Sequence, residues 1–211
     1  MKSRIISSLI ALAGIATMTA QMTPRSVVTT APEKVLLTID ASTLLDMLDY
    51  YESGVARTVK NKMGEDAVIT EMTESTITLL TGEAHNITFA MLPYGKSSII
   101  MTVDRVETPA TDATVTFYDS RWNKIDSDRL LREPSLADWT GKIPADSMRD
   151  IENALPFLMV DARYNPETST LTFEPQTGDY ISVENSDKVK AALAPRLDYV
   201  WTGRSFKPVR R

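Results

Sequence analysis

The sequence contains no cysteine, and it contains histidine only once, at His85. Disulfide bonds, thiol catalysis, iron–sulfur clusters and thiolate zinc sites are therefore excluded. A Ser-His-Asp triad would have to use His85, and no G-x-S-x-G elbow accompanies it. The eight glycines are scattered, so neither phosphate-binding glycine motif occurs, and no calcium-loop pattern is present. We expect no cofactor and no bound metal.

An excess of positive charge is also missing. The formal net charge is −5, and it falls to −7 if a leader containing Lys2 and Arg4 is removed. Nucleic-acid binding requires clustered positive charge, so we expect no nucleic-acid partner. The hydrophobic fraction of 43% and the charged fraction of 24% are typical of a folded globular chain.

Residues 1–20 have the layout of a secretory signal peptide. Lys2 and Arg4 precede an apolar stretch over residues 5–16, and we expect a cut after Ala20. The stretch is too short to span a bilayer, which needs about 20 apolar residues. No later segment is apolar enough either. The sequence therefore predicts an exported protein, periplasmic or at the cell surface, with no transmembrane segment in the mature chain.

The remaining chain is predicted to contain a lead-in and two halves. Residues 21–33 are polar and contain prolines, which favours a flexible lead-in. Residues 34–128 are predicted to form a half with one helix and an antiparallel sheet. Residues 129–211 are predicted to form a second, α+β half. The overall prediction is an α+β fold in which a mainly antiparallel sheet is packed by two or three helices.

Two periodicities support this fold. An apolar stripe at helical spacing predicts the first helix and includes Leu44, Leu48, Tyr51, Val55, Val59 and Met63. From residue 67 to residue 125 the period becomes two, with turn residues between the runs, including 93–95. This pattern favours consecutive antiparallel strands with one packed face and one threonine-rich face in water.

Two short segments resemble each other across the halves. Residues 73–79 read TESTITL and residues 167–173 read ETSTLTF. We therefore also consider two related halves, although one match is weak support for a duplication.

Several motifs resemble a known family. They are the helix LDMLDYY at residues 45–51, the strand end MLP at 91–93, the turn TPATDA at 108–113, and the strand at 117–122 that ends in Trp. The chain resembles a family of exported Bacteroidales proteins, domain of unknown function 3256. The resemblance covers most of the mature chain. It implies export and a coherent fold, and it assigns no catalytic residue because the motifs are structural.

The basic, aromatic C-terminus is the candidate partner-binding surface, with Tyr199, Trp201, Arg204 and Phe206 as its residues. Trp, Tyr and Arg dominate interface hot spots. Tyr199 and Trp201 share one face of a strand, and Val200 takes the other face. Val200 is the better core candidate by polarity, which would leave the two aromatic side chains partly exposed. The competing interpretation is a closing hairpin with Trp201 in the core and Val200 on a wet edge. A buried Trp201 would remove the partner-binding hypothesis.

Acidic residues offer the alternative function. Glycosidases need two placed carboxylates. The candidates are Asp119, Asp126 and Asp128, which flank a predicted turn, and Asp161 and Glu174 on predicted strands, and nothing in the sequence fixes their separation. Asp46, Asp49 and Glu52 recur three apart on the first predicted helix, which favours the wet face of an amphipathic helix. The sequence therefore favours a non-enzymatic binding or assembly module whose partner is an envelope protein or a glycan. The alternative is a carboxylate-dependent, glycosidase-like hydrolase with a convergent site.

Overall fold

A computed structural model describes residues 22–107, 110–155, 157–177 and 181–209. The predicted signal peptide, residues 1–20, lies outside the described residues. Within them the helices are α1 (Pro24–Thr29), α2 (Ala41–Glu52), α3 (Leu136–Thr140), α4 (Ala145–Ala154) and α5 (Val183–Ala192), with a 3-10 helix at Ser127–Arg129. None of these helices has the length and apolar character that a membrane crossing requires.

The strands form two antiparallel sheets. The large sheet is a meander in sequence order: β1 (Val59–Lys60), β2 (Asp66–Met72), β3 (Thr76–Gly82), β4 (His85–Tyr94), β5 (Ser97–Val106), β6 (Asp112–Tyr118) and β7 (Lys124–Ile125). The small sheet has the order β11-β10-β9-β8 and contains β8 (Met159–Asn165), β9 (Thr170–Gln176), β10 (Leu197–Trp201) and β11 (Phe206–Pro208). The predicted α+β class with antiparallel sheets is confirmed.

Both faces of the large sheet are covered, each by a different layer. Helices α1 and α2 cover one face, where the buried side chains include Leu48, Ile77 and Phe89. The small sheet and helices α3 and α5 cover the other face, where Met101 and Phe117 pack among residues of the second half. The second core contains residues from both predicted halves. The predicted boundary at residue 128 therefore lies between two segments of the chain that share one core. The order of helices and strands also differs between the halves.

The expected threonine-rich wet face is wrong because the strands are out of phase with one another. Ile87 lies opposite Asp104, and Thr88 lies opposite Val103. The buried apolar residues of β3 and most of those of β4 therefore face the helices, whereas most of those of β5, and those of β6, face the small sheet. Thr102 is only 3% exposed, since it lies on the helix side of a strand whose other side is also buried.

The predicted flexible lead-in contains a helix instead. The Thr23 hydroxyl accepts a hydrogen bond from the Ser26 amide at 3.1 Å, and Pro24 occupies the first turn of α1. These residues form a capping box, which starts a helix efficiently. Val27 and Val28 are 2% and 1% exposed, so burial of their side chains anchors α1 on the sheet.

The first predicted helix is shorter than its apolar stripe. Helix α2 ends at Glu52, and Gly54 follows with φ +68°, a conformation that favours glycine. The chain then turns back into β1, so Val59 lies in a strand. Met63 is 73% exposed, outside the core that the helical stripe predicted for it.

Candidate functional site

The aromatic residues of the C-terminal hairpin lie in the core between the sheets. Tyr199, Trp201 and Phe206 are 3%, 8% and 3% exposed. Val200 is 36% exposed and faces outward, and Arg204 is exposed. The hypothesis that the aromatic side chains form an exposed partner-binding surface is therefore wrong, and only Arg204 of that set is accessible.

The reason is the position of the hairpin over the large sheet. The Trp201 indole Nε1–H donates to the Pro93 carbonyl oxygen at 2.8 Å. Its ring packs 5.0 Å from that of Phe206, centroid to centroid. The large sheet supplies both an apolar surface and a hydrogen-bond acceptor, so the indole is buried without an unpaired donor. Polarity alone favoured Val200 and missed this partner.

Asp161 and Glu174 are brought together. They are directly opposite each other on β8 and β9, beside a cavity of about 210 Å³. Arg105 holds Asp161 with two hydrogen bonds, from Nε to Oδ1 at 2.6 Å and from Nη2 to Oδ2 at 3.0 Å. Arg163 donates a third, from Nε to Oδ2, at 2.9 Å.

These bonds determine what Asp161 can do chemically. Burial raises the pKa of Asp161, but the hydrogen bonds from Arg105 and Arg163 together outweigh burial and leave the pKa below its ordinary value. A glycosidase acid needs a raised pKa. The arrangement therefore suits a structural ion pair between the two sheets better than a general acid, and it does not favour the hydrolase.

His85 connects two strands through both ring nitrogens. Nε2 lies 2.6 Å from Asp104 Oδ1, and Nδ1 is hydrogen-bonded to the Thr81 hydroxyl. The three side chains resemble a hydroxyl-imidazole-carboxylate triad in composition. Thr81 is only 2% exposed, however, so its hydroxyl is not accessible to a substrate. The group instead ties the β3–β4 turn to β5.

This pair gives a pH prediction. The hydrogen bond to Asp104 raises the pKa of His85 above its ordinary value of 6.5. A raised folded-state pKa stabilises the fold below the unfolded pKa, and the contribution is lost as the pH rises through the folded pKa. The gap in free energy of unfolding between wild type and His85→Gln should therefore be largest near about pH 5 and shrink toward about pH 9.

Urea unfolding at both pH values measures this gap. Nuclear magnetic resonance titration of the only histidine reports its pKa directly. Gln keeps a polar side chain of similar reach but cannot take a proton, which makes it the matched replacement. A gap that widens as the pH rises would contradict the assignment.

The acidic face of α2 is partly neutralised. Arg25 of α1 lies 2.6 Å from Glu52 and 3.5 Å from Asp49, which ties the two helices together. Asp46 is exposed and forms no ion pair with any described residue. No group of three or more histidine, aspartate or glutamate side chains within the described residues is arranged to hold a metal ion.

A cavity of about 400 Å³ lies between α1, the segment 31–41 and the start of α2. The sequence did not predict this site. Most of its lining is aliphatic: Val28, Ala31, Leu36, Ile39, Ala41, Leu44 and Leu45. One of these aliphatic residues, Leu45 of α2, is 46% exposed.

Three charged residues also line this cavity. Lys62 Nζ lies 2.7 Å from Glu33 Oε1, and this hydrogen bond lowers the pKa of Glu33. Asp40 caps α2: its carboxylate accepts from the Thr43 amide at 2.8 Å and from the Ser42 hydroxyl at 2.7 Å. These bonds lower the pKa of Asp40 to about 2, so its charge persists at every physiological pH.

A solved structure supports the fold. It is described as a domain of an uncharacterized protein from Porphyromonas gingivalis W83, and it is similar to this chain with a TM-score of 0.76 at 19% sequence identity. The likeness covers 89% of this chain and 98% of that chain. At this identity the likeness shows the fold alone.

Sequence comparison identifies a family but no activity. No curated protein matches the chain significantly. The profile of a family described as "Protein of unknown function (DUF3256)" matches residues 15–206. Because that match spans most of the chain, the protein belongs to the DUF3256 family of proteins of unknown function, which confirms the resemblance seen in its helix, strand-end and turn motifs.

Proposed function

We propose that this protein is a non-enzymatic binding or assembly module of the cell envelope, exported to the periplasm or the cell surface. Export is supported by the charged start, apolar stretch and small residues of segment 1–20. The negative net charge supports a partner other than nucleic acid. The partner is an envelope protein or glycan.

The cavity between α1 and α2 carries the binding role. Its volume of about 400 Å³ falls within the range of about 300–1,000 Å³ that is typical of ligand pockets. Its walls are mainly aliphatic with a few charged groups, the composition that binding sites usually have. An incompletely buried Leu45 adds apolar surface that a partner could cover.

Filling the cavity tests this role. Ala41 lines the cavity and is the exposed first residue of α2, where a larger side chain is compatible with the helix. We expect Ala41→Trp to lose the partners that wild type captures from an envelope extract of its own cells, because the indole occupies their binding volume. Affinity capture with quantitative mass spectrometry measures the loss.

Ala145→Trp is the matched control, since Ala145 is the exposed first residue of α4 in the other half of the chain. It should capture the same partners as wild type. Thermal unfolding of both variants checks that neither substitution disrupts the fold. If Ala41→Trp captures everything that wild type does, the cavity is not the binding surface.

A further inference from the structure

We infer that the cavity between α1 and α2 binds a peptide segment of a partner protein in which an aliphatic or aromatic side chain is flanked by lysine or arginine. This inference rests on the proposed binding function and names the chemistry of its partner. It is carried by two independent features of the described residues: the apolar shape of the cavity and the sign of the charges around it.

The shape of the cavity favours an apolar side chain as the anchor of the bound peptide. Leu36, Ile39 and Leu44 form a buried floor, with exposures of 5%, 4% and 5%. Leu45 stands at the edge with nearly half of its surface in water. An inserted aliphatic or aromatic side chain would bury its own surface and that of Leu45, which is the usual arrangement of an interface anchor.

The charged residues around the cavity favour a lysine or arginine next to that anchor. Lys62 is already paired with Glu33, so it offers little free positive charge. Asp40 remains ionised on the same lining, and Asp46 follows Leu45 on the exposed side of α2 without a described ionic partner. The lining residues Glu33, Asp40 and Lys62 sum to a charge of −1, and the exposed Lys34 and Asp46 near them cancel each other. The net charge around the apolar floor is therefore negative, which complements one lysine or arginine.

The same charges disfavour an acidic occupant. An acidic group of a fatty acid or peptide that entered the cavity would share its lining with Asp40 and would compete with Glu33 for Lys62. Like charges brought together at an interface weaken binding, which suppresses wrong partners. A basic segment meets no such opposition, because a cation near Asp40 is attracted by its carboxylate and does not compete for Lys62.

A random peptide library displayed on phage tests the inference. The library is selected on the full chain and counter-selected on Ala41→Trp. We expect the surviving peptides to be enriched in lysine or arginine next to leucine, isoleucine, valine or phenylalanine. Their affinity should fall as salt is added, because exposed charge pairs are screened.

Matched variants locate the contact. Leu45→Lys should weaken the selected peptides by about tenfold or more, since it replaces apolar surface with a like charge. Val209→Lys adds the same charge at a residue that is 49% exposed and directly follows β11, and it should change the affinity less than about twofold. Asp46→Asn should weaken binding by severalfold without altering the cavity.

The outcomes separate this inference from the proposed function. If Ala41→Trp abolishes envelope capture but the selected peptides lack basic residues or are acidic, the basic segment is overturned and the binding module stands. If no selected peptide distinguishes wild type from Ala41→Trp, the peptide site is overturned. If capture is also unchanged in Ala41→Trp, the proposed function of the cavity falls as well.

Discussion

Arg105→Met should lower the free energy of unfolding by about 3 kcal/mol, the lower end of the cost of removing one partner of a buried ion pair, because Arg163 still donates to Asp161. The side chains of Arg105 and Asp161 are 9% and 5% exposed, so bulk water reaches little of the carboxylate that loses its main partner. Arg105 also donates to Asn86 Oδ1 at 3.2 Å, and that acceptor would lose its partner. Urea denaturation at neutral pH measures the change.

Arg163→Met is the matched control. It removes a guanidinium from the same Asp161 carboxylate, but the Arg163 side chain is 66% exposed. Exposed ion pairs contribute about 0–1 kcal/mol, so this variant should lose far less stability. The double variant Arg105→Met/Asp161→Leu should recover much of the loss, because it leaves no buried carboxylate unpaired. Equal losses for the two arginine variants would contradict the structural role of Arg105.

The strands could be predicted from the sequence, but their phase could not. The β4–β5 turn was placed at residues 93–95, which would put Ile87 and Met101 on the same face. In the structure Tyr94 pairs with Ser97, so the turn has only two residues, Gly95 and Lys96, and Gly95 has φ +61°. The pairing shifts by an odd number of residues, and an odd shift moves one strand's side chains to the opposite face.

The sequence indicates only one residue of the Arg105–Asp161 pair. Arg105 continues the alternation of Met101 and Val103, which places an arginine on a buried face and requires a partner. That partner lies 56 residues away, on the other sheet. No local sequence pattern identifies Asp161 as the partner, because the contact depends on how the two sheets pack.

The candidate cavity was missed for a different reason. It depends on α1, whose capping signal, Thr23-Pro24 with Ser26, is present in the sequence. Proline and threonine were interpreted as marks of a flexible lead-in, and the same residues also start helices. Without α1 the exposed Leu45 has no facing wall, and the cavity cannot be anticipated.

Trp201→Ala should destabilise the fold by about 3–5 kcal/mol, the usual cost of deleting a large buried aromatic side chain. An exposed Trp201, which the partner-binding interpretation of the hairpin required, would instead leave the melting temperature nearly unchanged and weaken partner binding. The substitution removes a ring that packs against Phe206 and leaves the Pro93 carbonyl oxygen without its indole donor. Both losses fall where the C-terminal hairpin meets the large sheet, so the attachment of the small sheet should weaken most.

Arg204→Ala controls for the hairpin itself. Arg204 is exposed three residues further along, so its truncation should change the stability by no more than about 0.5 kcal/mol. Thermal and urea unfolding of both variants measure the difference. Hydrogen exchange should locate the loss of protection in β10 and β11, where the hairpin contacts β4. A Trp201→Ala protein with unchanged stability would place the indole outside the core and return the hairpin to consideration as a binding surface.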